Sequence, residues 1–190
     1  MLVLNQLNLY SQYCPGLIMT LQATNEKKWL AFYTKPRQEF KTAELFGNLS
    51  IEYYLPTIIT LRQWSDRKKK VRVPLFNGYV FAKVDEKERL TAVHQESVVK
   101  VICFSGKPSY IPEWQIESLK KMLSDTPDVF VTHGLEAGQQ VKITEGPFGG
   151  VIGTIKEVNK EKWLSVSVEL LNRTVSVKLP LESVIKFVAN

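Results

Sequence analysis

Cysteine and histidine are both scarce in this chain of 190 residues, with two of each. Cys14 and Cys103 are too few and too far apart for a disulfide framework or a thiolate metal site, so a reduced, cytoplasmic setting is expected. His94 and His133 lie in different segments, and neither has a Cys, Ser or carboxylate at a spacing that suggests a triad or a metal centre. Both read as ordinary surface or loop residues. Gly146, Gly149, Gly150 and Gly153 have no Lys-Ser or Lys-Thr behind them, so a phosphate-cradling loop is not indicated. The expectation is a protein that is no enzyme, with no catalytic residue, no metal and no cofactor. Long hydrophobic runs are missing too. The opening twenty residues lack a basic leader and are broken by Asn, Gln, Ser and Pro, which fits neither a secretory signal nor a membrane span. Met19 stands just ahead of the first strongly patterned segment, and residues 1–26 are expected to be a flexible extension or an upstream mis-start.

Acid is also in short supply, 19 Asp and Glu against 25 Lys and Arg, for a formal charge of +6. The shortage is local. Residues 27–75 hold 11 basic and 4 acidic side chains, residues 76–125 hold 7 and 7, residues 126–190 again 7 and 7, and Glu26 completes the count. A local excess of this kind is a candidate footprint for a polyanion.

What is present is patterned. Apolar residues make up 44%, enough for a core. Lys28–Thr34 (KWLAFYT) is aromatic and β-prone, and with Lys35-Pro36 behind it reads as a strand feeding a helix. That helix is expected to stop at Gly47, with Phe40, Ala43, Leu45 and Phe46 toward a core and Arg37, Gln38, Lys41 and Glu44 away from it. Residues 51–61 look extended, Val71, Val73 and Leu75 alternate with polar residues or proline, and the basic stretch 63–70 between them reads as a hairpin tip. Asn77-Gly78 is itself a two-residue hairpin signal. Residues 79–84 read as a strand, 85–94 as a short helix, 98–104 as a strand, and 112–123 as a helix with Ile116, Leu119 and Leu123 on one face. Ser124–Gly138 loses periodicity, as a linker does. Beyond it, five short strands around a Gly146-Pro147-Phe148-Gly149-Gly150 turn suffice for a small barrel. The fold class is α+β in two domains, 27–124 and 138–190, joined by a linker at 125–137.

Arg67, Lys68, Lys69, Lys70 and Arg72, preceded by Trp64, have the composition of a phosphate-contacting hairpin and equally that of a solvated hairpin end. Lys35, Arg37 and Lys41 form a second basic cluster on the exposed side of the first helix. The rings of Trp29, Phe32, Tyr33, Tyr53, Tyr54, Phe76, Tyr79 and Phe81 are core residues by default. Alternation nevertheless puts neighbours such as Phe32 and Tyr33 on opposite faces, so some rings could line a groove for a partner helix.

Three stretches carry a resemblance: Trp29 to Glu39, Pro74 to Phe81, and Gly138 to Ile143 with Glu145-Gly146-Pro147-Phe148 and Gly153. In these the chain resembles the NusG family of transcription elongation factors over about residues 27–190. Within it, Trp64 to Val71 running into Val73 to Phe76 is most similar to the UpxY-type antiterminators of Bacteroidetes capsular-polysaccharide operons, with RfaH a more distant relative. The resemblance implies an amino-terminal NGN domain with an antiparallel sheet and flanking helices, a flexible linker, and an SH3-like KOW barrel. It implies docking of the first domain on the clamp helices of RNA polymerase through Tyr33, Phe76, Tyr79 and Phe81, with Thr91 near the other side of the channel. Lys35, Gln38 and Lys41 match positions that contact non-template DNA, and the basic set Lys35, Arg37, Gln38, Lys41, Arg67, Lys68, Lys69, Lys70 and Arg72 is the expected face for non-template or upstream DNA. Gly146, Pro147 and Phe148 match the KOW surface that meets a small-subunit ribosomal protein or Rho, with nascent RNA a further partner. Phe148 could equally plug the end of the barrel. Asn77 stands where the family usually has proline, and Glu96 lies where RfaH has a DNA-reading arginine. The implied protein is a cytoplasmic monomer without a membrane partner that promotes processive transcription of a long operon. A general NusG, or a ribosome-associated RNA-binding protein with a KOW barrel, are the alternatives.

Overall fold

The computed structural model of the chain describes residues 26–64, 67–124, 129–134, 138–158, 161–180 and 183–187. The expectation for residues 1–25, the hairpin-tip residues Ser65 and Asp66, and the linker residues 125–128 and 135–137 lie outside the described residues. In chain order the elements are β1 (Lys28–Thr34), α1 (Glu39–Asn48), β2 (Glu52–Tyr54), β3 (Thr57–Gln63), β4 (Lys68–Pro74), β5 (Tyr79–Val84), α2 (Glu86–Val93), β6 (Val98–Val101), β7 (Cys103–Phe104), β8 (Lys107–Pro108), β9 (Tyr110–Ile111), α3 (Glu113–Ser124), β10 (Phe130–His133), β11 (Gln139–Glu145), β12 (Ile152–Val158), β13 (Glu161–Val168), β14 (Arg173–Lys178) and β15 (Val184–Phe187). The described residues separate into two compact units, one formed by those within 26–55 and 76–110 and the other by those within 56–75 and 111–187.

The first unit is an antiparallel sheet in the order β2-β5-β1-β6. Residues opposite one another in register share a face, and Leu30, Phe32, Val80, Ala82 and Val84 all fall on one side. There they join Phe46 of α1, Ala92 of α2, and Val98 and Val101 of β6 in a buried cluster. Val98 and Val101 are three residues apart and could not share a face in a regular strand. A register shift between Tyr33 and Thr34 admits the extra residue. Phe32 and Phe46 meet edge to face with centroids 5.3 Å apart.

Helix α1 buries Glu39, Thr42, Ala43 and Phe46, whereas Phe40 is 44% exposed. The inward stripe keeps Ala43 and Phe46 as expected but has Glu39 and Thr42 in place of Phe40 and Leu45. An acidic side chain occupies its first position because the Glu39 carboxylate accepts a buried backbone hydrogen bond. Helix α2 begins at a capping box, with the Glu88 N–H on Asp85 and the Asp85 N–H on Glu88. Its Arg89 is buried and paired with Glu86. The expected strand over 98–104 breaks at Ile102, and Ser105-Gly106, both at positive φ, turn β7 back as β8.

The second unit holds a six-stranded antiparallel sheet in the order β10-β14-β13-β12-β11-β15. Its inward positions include Val141, Ile143, Leu164, Val166, Val175 and Val177, all fully buried. Gly153 is needed there, because a Cβ would lie 2.5 Å from the Ser165 carbonyl oxygen. The sheet has one strand more than expected, and β10 comes from the stretch read as linker. It runs antiparallel to β14, from Phe130 opposite Ser176 to His133 opposite Arg173. In the same unit α3 lies against β12 and β13, where the Ile152 N–H donates to Ser118 Oγ at 3.1 Å. Along α3 the buried apolar positions are Ile116, Leu119 and Met122, so Met122 takes the place expected for Leu123. The β3–β4 hairpin is a separate two-stranded sheet assigned to this unit.

Candidate functional site

The second face of the first sheet carries the rings. Tyr33 stands opposite Tyr79 and Ala31 opposite Phe81, while Tyr54 of β2 stands opposite Phe81. The Tyr33 and Tyr79 rings lie 5.4 Å apart, Phe76 meets Phe81 edge on at 5.8 Å, and Tyr54 stacks on Phe81 at 6.4 Å. Four of the five residues expected to meet a polymerase are thus brought together, and Tyr54 joins them without having been singled out for the role. They do not share one exposure. Phe76 and Phe81 are buried, at 4% and 0%, whereas Tyr33 and Tyr79 are half-buried. Thr91 is not part of this patch. It is exposed on α2, whose Ala92 packs on the opposite side of the sheet, and its hydroxyl bonds the Lys87 carbonyl.

The turn that sets the tyrosine pair is Phe76-Asn77-Gly78-Tyr79, closed by the Tyr79 N–H on the Phe76 carbonyl. Only Gly78 has positive φ, at 81°, so the turn is not the two-residue hairpin that Asn-Gly suggested; β4 pairs instead with β3. Gly78 is required twice over, by this φ and because a Cβ would sit 2.9 Å from the Tyr33 ring. Its N–H donates to buried Glu39 Oε1 at 2.7 Å, and its carbonyl accepts from Thr34 N–H at 2.8 Å. The aromatic patch is therefore tied to the start of α1. A buried glutamate at a helix start, in place of an apolar residue, was the signal that sequence reasoning passed over.

The same tie orders the first basic cluster. Lys35 donates its backbone N–H to Ser97, and Gln38 accepts from Thr42 through its carbonyl. Lys35, Arg37 and Lys41 are exposed and Gln38 is half-buried. Arg37 is held at φ 62°, a conformation that costs a non-glycine residue about 1–2 kcal/mol. Lys41 faces Glu96 at 3.8 Å, so its charge is partly answered within the protein. At the start of β1, hydrogen bonds to Glu88 and Glu26 hold Lys27 and Lys28, respectively, above the usual lysine range.

The second basic cluster lies on the β3–β4 hairpin of the other unit. Lys68, Lys69, Lys70 and Arg72 are all exposed, as is Arg67. Register divides them. Ile59 is opposite Arg72 and Leu61 opposite Lys70, with Gln63 and Lys68 at the end of that face. Arg62 and Lys69 point to the other face, where the Lys69 ammonium sits 4.9 Å above the Trp64 ring. In the barrel turn Gly146 and Pro147 are exposed, but Phe148 is 2% exposed. The ring thus takes the inward position of the plug rather than that of an exposed contact, because a small barrel needs a large side chain at its end. A cavity of about 170 Å³ lies beside α3, lined by Trp114, Gly153, Thr154 and Ser165 among others. It is smaller than usual ligand sites. His94 bonds the Leu90 carbonyl, and among the described residues no group of His, Cys, Asp or Glu could hold a metal ion. Nor is any described helix long and apolar enough to cross a membrane.

An α+β unit with a ring-lined sheet face, joined to a small β unit in a chain with two cationic surfaces, has the make-up of a modular binding protein. Residues 27–120 match the family described as transcription termination factor nusG, and residues 137–170 match the KOW motif. The chain is 31% identical over 154 residues to the transcription termination/antitermination protein NusG of Vibrio parahaemolyticus, covering 75% of this chain and 79% of that one. To the protein of the same name from Haemophilus influenzae it is 30% identical over 142 residues, covering 71% and 76%. A solved structure described as domain interaction in Thermotoga maritima NusG is similar at 23% identity and a TM-score of 0.42, covering 81% of this chain and 93% of that one. The chain belongs to the NusG family of transcription elongation and antitermination factors, with an NGN domain followed by a KOW domain.

Proposed function

We propose that this protein binds elongating RNA polymerase in the cytoplasm and promotes processive transcription of one class of long operon, encoding capsular or surface polysaccharide. The observation that carries the polymerase contact is the Tyr33–Tyr79 pair, half-buried on the sheet face that also holds buried Phe81. Amphipathic rings held rigidly at a rim are the usual anchors for a partner helix. The protein acts by binding energy, favouring the pause-resistant conformation of polymerase over the paused one. Lys35, Arg37, Gln38 and Lys41 contact displaced or upstream DNA, and Gly146-Pro147 offers the barrel's partner surface. The likeness of Trp64 to Phe76 to UpxY-type antiterminators supports the operon-specific role.

Tyr33→Ala and Tyr79→Ala in the full chain should each weaken co-purification with RNA polymerase by more than tenfold while leaving the circular dichroism melt in place, and unchanged binding would overturn the anchor assignment. The tyrosines are the better probes, since Phe76→Ala would also hollow out a buried site. Both compared relatives bear the name NusG, which supports a second reading as a general factor. Genome-wide occupancy separates the two, since a general factor sits on most transcription units and an operon-specific one on few.

A further inference from the structure

We infer that one face of the β3–β4 hairpin, that of Ile59, Leu61, Lys68, Lys70 and Arg72, is a seat for duplex DNA, and that the opposite face, with Lys69 and Trp64, is not. The inference rests on reading the chain as a transcription factor that touches nucleic acid, and it names which side chains of the basic hairpin do so and with what form of DNA.

The carrying observation is that the exposed face of the hairpin is apolar as well as cationic. Ile59 and Leu61 are 67% and 66% exposed, while Ile58, Val71 and Val73 on the reverse face are half-buried. Two large aliphatic side chains thus stand in water, side by side with a cation column on the paired strand. No acidic residue occurs in β3 or β4. Lys68, Lys70 and Arg72 repeat every second residue, about 6.6 Å apart at the ordinary strand rise, a spacing comparable to one nucleotide of backbone. A two-stranded ribbon is narrow enough to enter a DNA groove. The cations then follow the phosphates of one strand while Ile59 and Leu61 lie against sugars or wedge at a base step, a use that leucine and isoleucine have in groove-binding proteins. The Arg72 Nε–H donates to Thr57 Oγ1 at 2.7 Å, which holds the guanidinium on this face.

The reverse face lacks these properties. Lys69 is engaged over Trp64, the ring best suited to stack on a single-stranded base or to enter a membrane interface. A lipid surface or a single strand would therefore be met by Trp64 and the reverse face, and a duplex by the aliphatic–cationic one. Charge complementarity and the column spacing favour the duplex.

The test is fluorescence anisotropy of the full-length protein with a 24-base-pair duplex, with one strand of it alone, and with vesicles of anionic and zwitterionic phosphatidyl lipids. The wild type should prefer the duplex. Lys70→Gln with Arg72→Gln should weaken duplex binding by at least tenfold and reduce the slope of log K against log salt by about 1.8, the value for two lost phosphate contacts. Ile59→Thr with Leu61→Thr keeps β-prone side chains and should weaken binding about fivefold with the slope unchanged. Lys69→Gln should leave duplex affinity within twofold. An equal loss from Lys69→Gln and Lys70→Gln, no loss from the threonine pair, or tighter binding to the single strand or to anionic vesicles would each overturn the assignment. Polymerase co-purification, read in parallel, should persist in every hairpin variant. Its loss in Tyr33→Ala with duplex binding intact keeps the two proposals separately testable.

Discussion

The β1–β5 pair and the β3–β4 pair are both antiparallel strand pairs, yet they use their faces in opposite ways. In β1 apolar residues occupy both sides, Leu30 and Phe32 toward the helices and Ala31 and Tyr33 toward the ring patch, so that Tyr33 alone among these is not fully buried. In the hairpin two large aliphatic side chains, Ile59 and Leu61, are left exposed, and they stand beside cations. The difference teaches that alternation sets sides without saying which is covered. In one pair apolar surface measures core, and in the other it is surface available for binding.

The comparison breaks most sharply at the core. Phe46→Ala removes the ring that closes the helix side of the first sheet and should cost about 3–5 kcal/mol in urea denaturation. A loss below 1 kcal/mol would mean that the cluster around Phe32 is not the core of this unit. Next comes Gly78→Ala, which puts an L side chain at φ 81° and a methyl group against Tyr33. The expected destabilisation is about 1–3 kcal/mol, with shifted aromatic resonances for Tyr33 and Tyr79 and weaker polymerase binding. Ordinary stability combined with an unmoved tyrosine pair would show that the turn does not position the patch. The smallest effect belongs to the hairpin. Ile59→Thr with Leu61→Thr should shift the unfolding free energy by no more than about 0.5 kcal/mol per site, despite replacing two large aliphatic residues. A loss as large as that for Phe46→Ala would make this face core after all and remove it as a binding surface.

Much of this was legible along the chain. KWLAFYT has β propensity throughout, and its strand runs over the expected residues 28–34. Asp85 and Glu88 announce the short helix through reciprocal capping. The charge excess in residues 27–75 resolves into the two exposed basic clusters that composition pointed to. Other features depended on partners distant in sequence. Glu39 turned inward because a backbone N–H thirty-nine residues away needed an acceptor. Phe130–His133 became a strand because β14 offered an edge, although nothing local to that segment is periodic.

By itself the sequence determined which residues could share a face, since the two-residue period of a strand and the 3.6-residue period of a helix are properties of the local backbone. It also determined that positive charge would gather in the first half of the chain. Only the tertiary structure decided that Phe76 and Phe81 are buried while Tyr33 and Tyr79 stay half-buried, that Phe148 is turned inward, and that Ile59 and Leu61 stay in water. Those outcomes depend on which surfaces are covered by elements far away in the chain. Burial is a property of three-dimensional neighbours, and a side chain's polarity states only what its burial would be worth.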